Sequence, residues 1–303
     1  MRTEILTEVN TQEQRQKGLS QWGLAWRRFK RNKVAVIGMV MVGSIVFLAI
    51  FAPFISPYDP DRRWFVEGLA RTPPSSEHLF GVDKIGRDVF SNVIYGARNA
   101  LFVGLVSTAI TLLIAVPLGA LAGYIGGRFD ELAMRLADAF IIFPSYLLIL
   151  LSIKVFSVLV MGFSVSAIAV IIGFFGWPGM ARLVRGQVRM LKNSDFVEGA
   201  KCLGASRMRI IFIHLLPGVI PLIMTTAMTA IAGRIMMLVS ITFLGFGDPT
   251  VQDWGAMINL GREGLITSWW ESLFAGIALF YTTLGFNLTA DGMADALNPR
   301  LVR

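Results

Sequence analysis

The sequence is short of the residues that usually do chemistry. It has one cysteine, Cys202, which cannot close an internal disulfide, and two histidines, His78 and His214, far apart in the chain. These give no zinc-type ligand spacing. No glycine is followed directly by lysine, so no G-x-x-x-x-G-K-[ST] loop is present to cradle a nucleotide phosphate. H-E-x-x-H and G-x-S-x-G are missing as well, and no pair of carboxylates sits within the apolar runs at a spacing suited to acid and base work. Arginine repeats of the voltage-sensor kind and a T-V-G-Y-G filter are also absent. These gaps argue against an enzyme, against a cofactor or metal of the chain's own, and against an ion channel. Any ATP must be hydrolysed elsewhere.

Apolar residues are abundant instead. Of 303 residues 54% are hydrophobic and 16% charged, with mean hydropathy +0.63, too apolar for a soluble domain of this size. The expected class is an all-α polytopic membrane protein. The formal charge of +8 does not point to nucleic acid, because the basic residues cluster beside apolar runs, where the positive-inside rule accounts for them. Cys202 reads as a small packing residue. The first apolar run follows a long polar segment without a small-residue cleavage site, which suggests a retained span.

Charge counts along the chain give a topology. Residues 1–33 form a polar tail ending in the collar Trp26, Arg27, Arg28, Lys30, Arg31 and Lys33, expected on the cytoplasmic side. A first span covers 34–55. Residues 56–98 are expected outside, since from Pro53 to Arg98 six basic residues balance six acidic ones among several prolines. Within them, Gly81 to Arg98 reads as an amphipathic helix at the interface, which would either help receive a binding protein or seat the second span. A core over 99–290 holds five more spans: about Ala100–Ile125, turning at Gly126 and Gly127; about Leu136–Met161, broken near Pro144; about Ser166–Leu183; Ile210 to about Leu244, bent by Pro217 and Pro221; and about Ser272–Leu288. A loop at about 190–209 lies between spans four and five. From Arg182 to Arg209 the chain has seven basic and two acidic residues, and from Gly245 to Glu271 one basic and four acidic. Six spans with both ends inside, the tail 291–303 included, satisfy every count.

The inner loop has internal order. Asp195 is expected to cap a short helix, with Glu198 at the third position of a capping box, while Phe196, Ala200 and Leu203 share an apolar face and Gly204 stops the helix. An amphipathic helix between two spans has no lipid for its apolar face and needs a protein partner.

The loop's residues resemble a known pattern, the E-A-A, three residues, G, nine residues, I-x-L-P loop of inner-membrane permeases of binding-protein-dependent ABC importers. Glu198, Gly199 and Ala200 take the first three places, Gly204 the glycine, and Leu216 and Pro217 the end. Gly199 stands where alanine is common and His214 where isoleucine is usual. The dipeptide, oligopeptide and nickel branch is matched further by Trp26 to Lys33, Gly81 to Ser91, Tyr95 to Arg98, Arg135 to Asp138, Phe243 to Gly247, Trp254-Gly255, Asp291-Gly292 and Asp295 to Pro299, with Asn298 where aspartate is usual.

The resemblance implies a type I importer bundle in a prokaryotic inner membrane, without catalysis of its own. This chain would form half of the pathway beside a second homologous permease subunit, driven by two ATP-binding subunits that hold the ATP and Mg, and fed by an extracellular solute-binding protein. Asp195, Phe196, Glu198, Gly199, Ala200, Leu203 and Gly204 would form the coupling helix that docks on the ATPase. Peptides are the expected cargo, with oligosaccharides or a nickel chelate as alternatives. A membrane scaffold that recruits a cytoplasmic partner and moves nothing is the rival of another class.

Ionisable residues inside spans are costly. Lys154 is expected to snorkel to the headgroups. Arg234 is expected toward the outer side, either snorkelling or serving the pathway's outer mouth or a binding-protein contact. Arg135 and Asp138 read as an intrahelical i, i+3 pair.

Overall fold

The structure is a computed structural model that describes residues 21–60, 70–159, 162, 164–248 and 251–297. The expectations for the first twenty residues and for Asn298-Pro299 lie outside these. Among the described residues the regular structure is helical, with one isolated bridge between Val82 and Asp88.

Helix α1 (Gln21–Arg31) carries the basic collar, and α2 (Lys33–Ile50) follows at once. Asn32 makes the joint: its Oδ1 accepts from the amides of Val34 and Ala35, and its amide nitrogen donates to Asp295 at 3.2 Å. The span ends at Ile50 rather than Ile55, because Phe51 leaves helical geometry and only a single turn, α3 (Ala52–Ile55), continues.

Helix α4 (Val89–Ile125) is 37 residues long. Asp88 caps it, accepting from the Ser91 amide at 2.8 Å. The separate interfacial helix expected before the second span is therefore not there. Gly81 to Asp88 are loop and cap, and Val89 to Arg98 are the first turns of α4, with Val89, Ser91, Asn92 and Ile94 buried in the protein.

Two expected spans are bent. Helices α5 (Gly127–Ile142) and α6 (Ser145–Leu159) meet at 82° across Phe143-Pro144, where proline cannot continue the hydrogen-bond ladder. Helices α7 (Val165–Phe175) and α8 (Trp177–Leu191) meet at 41° at Gly176, ahead of Pro178. Among the described residues four helices are long and apolar enough to cross a membrane alone, and each bent pair passes that test together.

Beyond α8 come α9 (Asp195–Cys202) and the short α10 (Arg207–Arg209), a π-helical segment over Ile210–Leu215, and α11 (Leu216–Phe243). Then follow α12 (Trp254–Gly261) and α13 (Trp270–Leu297).

Helix α4 is the axis, lying along α8, α7, α11 and α2. Its approach to α8 depends on Gly119 and Gly123, one turn apart: a Cβ on Gly119 would fall 2.4 Å from the Ala181 carbonyl, and one on Gly123 2.7 Å from that of Arg185. Small residues at this spacing let helix backbones touch where lipid offers no hydrophobic drive. Helix α13 binds α2 and α11 into the bundle's other half.

The bundle has two distinct ends. One, called here the loop end, carries α9. The other, the cap end, carries α12 and the loop 70–88. There Trp254 is buried against Gly96, with its Nε1 donating to the Val93 carbonyl at 2.9 Å. Asp253 caps α12 and accepts from the Thr242 hydroxyl at 2.6 Å, and burial pushes its carboxyl above the usual range.

Candidate coupling surface and intramembrane arginine

Eight residues make α9, too few to hold a helix alone in water. The helix is held by what lies beneath it. Val197 and Ala200 are buried with Ile210, Ile211, Leu215 and Val219, and with Ala120, Tyr124, Val184 and Val188 from the ends of α4 and α8. The small helix packs closely on the π-helical segment Ile210–Leu215, and the shared cluster joins it to the ends of α4 and α8. Ala200 has to be small because a longer side chain there would lift α9 from this bed.

The start differs from expectation. Ser194, not Asp195, holds the cap position, and its hydroxyl turns back to the Leu191 carbonyl, so no side-chain cap bond forms. Asp195 and Glu198 instead place two carboxylates in the first turn, where they favour the helix dipole, with Lys201 in the last. The stop is as expected. Gly204 has φ +77, the Gly204 amide donates to the Lys201 carbonyl and the Ala205 amide to that of Ala200, which closes a Schellman motif.

The apolar face also differs. Ala200 faces inward with Val197, whereas Phe196 is 50% exposed and Leu203 90% exposed. Phe196, Gly199 and Leu203, spaced i, i+3 and i+7, therefore form a stripe on the opposite side, and a Cβ on Gly199 would meet nothing within 4 Å. Cys202 is exposed, with a free thiol, rather than packed in the core.

Ion pairs brace the loop end. Asp130 of α5 holds Arg185 of α8 with both oxygens, at 2.5 Å for the Nη2 bond, and Asp138 pairs with Arg182. The expected Arg135–Asp138 pair is not formed. Arg135 bonds Glu131 one turn back. Lys154 is exposed on α6.

Arg234 lies on α11, but its guanidinium does not run out to the cap end. It turns to the α7–α8 kink, where Nη2 donates to the Thr111 hydroxyl at 2.8 Å and Nη1 reaches the Ile172 carbonyl at 3.4 Å. Ile172 is seven residues into α7, about 10 Å from its start. A Cβ on Gly176 would sit 2.6 Å from the guanidinium, so glycine at the kink is what admits it. Sequence reasoning missed Thr111 and Gly176 as its partners, and it read the span about Ser166–Leu183 without a break at Gly176. No group of three or more His, Cys, Asp or Glu suited to a metal occurs among the described residues.

A broken-helix bundle with a short amphipathic helix seated at one end and an arginine at mid-bundle is the architecture of an integral membrane transport component. Residues 115–303 match the family described as the inner membrane component of binding-protein-dependent transport systems, and residues 20–74 match the N-terminal membrane domain of oligopeptide transport permease C. The chain belongs to this family of transport permeases.

Its relatives agree along nearly their whole length. It is 38% identical over 281 residues to the glutathione transport system permease protein GsiD of Pectobacterium atrosepticum, covering 92% of this chain and 91% of that protein. Against the dipeptide transport system permease protein DppC of Bacillus subtilis it is 38% identical over 281 residues, covering 92% and 86%. Against the oligopeptide transport system permease protein OppC of the same organism it is 38% identical over 286 residues, covering 94% and 92%.

Proposed function

We propose that this chain is the permease subunit of an ATP-driven peptide importer, forming half of the translocation pathway beside a second permease. In this reading the loop end and both termini face the cytoplasm of a prokaryotic cell, two ATP-binding subunits work at α9, and a solute-binding protein delivers cargo at the cap end. The observation that carries the reading is the division of α9 into two faces. Val197 and Ala200 bury it in an apolar cluster shared with the π-helical segment Ile210–Leu215 and with residues of α4, α8 and α11, while Phe196, Gly199 and Leu203 are left uncovered. A push on the uncovered stripe is passed into this close-packed cluster, first to the π-helical segment Ile210–Leu215 and through it to α11. The names of the relatives, which concern glutathione, dipeptides and oligopeptides, support peptides as cargo.

The test uses the transporter reconstituted in liposomes with its ATP-binding subunits, the second permease and the binding protein. Leu203→Glu and Gly199→Arg change only the uncovered stripe. Both variants are expected to fold and melt like the parent while peptide uptake and cargo-stimulated ATP hydrolysis drop at least about tenfold, the equivalent of 1.4 kcal/mol of lost docking. Uptake unchanged in both variants would refute the assignment of α9. Partner binding without flux in any assembly would favour a scaffold.

A further inference from the structure

Arg234 makes no ion pair among the described residues. Its partners are one hydroxyl and one distant carbonyl, both neutral, and its Nε is buried with no hydrogen-bond partner. The Thr111 hydroxyl spends its own proton on the Gly173 carbonyl at 2.7 Å, so it meets the guanidinium only as an acceptor. Beside them the Thr108 hydroxyl is buried and also unpaired. These groups line one cavity of about 190 Å³ between α4, α8 and α11, whose wall includes Gly176, Gly179 and Thr226.

A guanidinium has five N–H donors in a fixed fork, and a desolvated cation without a counter-charge is strongly disfavoured at membrane depth. A negative group entering the cavity would satisfy the donors that Arg234, itself only part-buried, leaves vacant. A carboxylate suits the vacant donors, because it accepts two parallel N–H bonds from one guanidinium, and the Thr108 hydroxyl can donate a third. The bare glycines at positions 176 and 179 leave the approach open on the α8 side, and a Cβ on Gly179 would meet nothing within 4 Å.

We propose that this cavity is a carboxylate-receiving site within the translocation pathway, with Arg234 as the binding group for the carboxylate of the passing solute. The proposal rests on the permease reading above and extends it: the preferred cargo would be a peptide with a free C-terminus.

The test probes the cavity's charge directly in the assembled transporter. In a Cys202→Ser background, Thr226→Cys places a thiol on the cavity wall, and Ala230→Cys serves as a second probe should the first not assemble. Modification by the sulfonatoethyl methanethiosulfonate anion is compared with that by the trimethylammonioethyl cation, each scaled to its rate on a free thiol. The anion is expected to react at least about threefold faster, with the preference lost in Arg234→Gln and kept in Arg234→Lys. Dialanine is expected to slow the labelling and dialanine amide not to. The proposal falls if the scaled rates are equal, if Arg234→Gln leaves them unchanged, if the thiol is sealed from both reagents, or if the amide protects as well as the acid. Absence of all peptide uptake with the charge preference intact would remove the peptide reading and leave the anion site, so the two failures are distinct.

Discussion

At Gly204 the backbone takes φ +77, a conformation that costs most side chains about 1 kcal/mol. Gly204→Ala should therefore fray the last turn of α9 without touching the bed beneath Val197. We expect a loss of about 1 kcal/mol in local stability, visible as faster hydrogen exchange at Lys201 to Ala205, together with weaker coupling of ATP hydrolysis to uptake. This stop was legible because glycine after an amphipathic run has one common use. The start and the buried face were not. Ser194 and Asp195 are both cap formers one residue apart, and only tertiary contacts decide between them. Likewise Phe196, Val197, Ala200 and Leu203 are all apolar on an eight-residue helix, and nothing local says that Val197 rather than Phe196 looks inward. The bed itself is built from residues far apart in sequence, such as Ala120, Val184 and Ile211.

Helices α5 and α8 are joined near the loop end by the bidentate Asp130–Arg185 pair, half-hidden from solvent, and by the more exposed Asp138–Arg182 pair. Breaking the first should cost more than breaking the second. Asp130→Asn is expected to destabilise the assembled protein by about 1–3 kcal/mol and Asp138→Asn by less than about 1 kcal/mol, read as shifts in thermal unfolding in detergent. A charge-reversed double variant, Asp130→Arg with Arg185→Asp, should recover part of the loss, and no recovery would mean that the side chains matter for packing alone. Helix periodicity offered Arg135 with Asp138 because i, i+3 neighbours are visible in one dimension. The true partner of Asp138 is 44 residues away. The break at Pro144 was legible for a similar reason, since proline acts locally, whereas the bend at Gly176 was not foreseen in a span read as continuous, and the bend angles depend on what each half packs against.

Over the whole molecule the cap end carries an unusual charge environment. Asp83 accepts from the amides of Ile85 and Arg87 at 2.9 and 2.8 Å, yet burial dominates and pushes its carboxyl up to about 6, with Arg87 opposing the rise and the buried Glu271 adding to it. Its folded value lies above the usual carboxylate range, so the folded cap holds the proton more tightly than the unfolded chain does. The destabilisation is absent below about pH 4, grows as pH rises, and is complete above about pH 6, amounting to the order of 2–3 kcal/mol. Hydrogen exchange across residues 81–92 should accordingly slow when pH falls from 7 to 5, after correction for intrinsic rates. Asp83→Asn, which keeps the acceptor oxygen, should flatten that dependence.

The helical character and the apolar spans were legible in the apolar runs, while this buried cluster was not, because Asp83 and Glu271 are 188 positions apart and each alone reads as a solvated residue. One consequence concerns supply. In the proposed assembly, a copy made in excess of the ATP-binding subunits would display Phe196 and Leu203 bare to water, the kind of greasy flank that invites self-association and proteolysis. Orphaned copies should have a shorter half-life than accompanied ones in a pulse-chase measurement, and Leu203→Ser should lengthen it. The same few atoms that receive the motor would then keep production of the two in step.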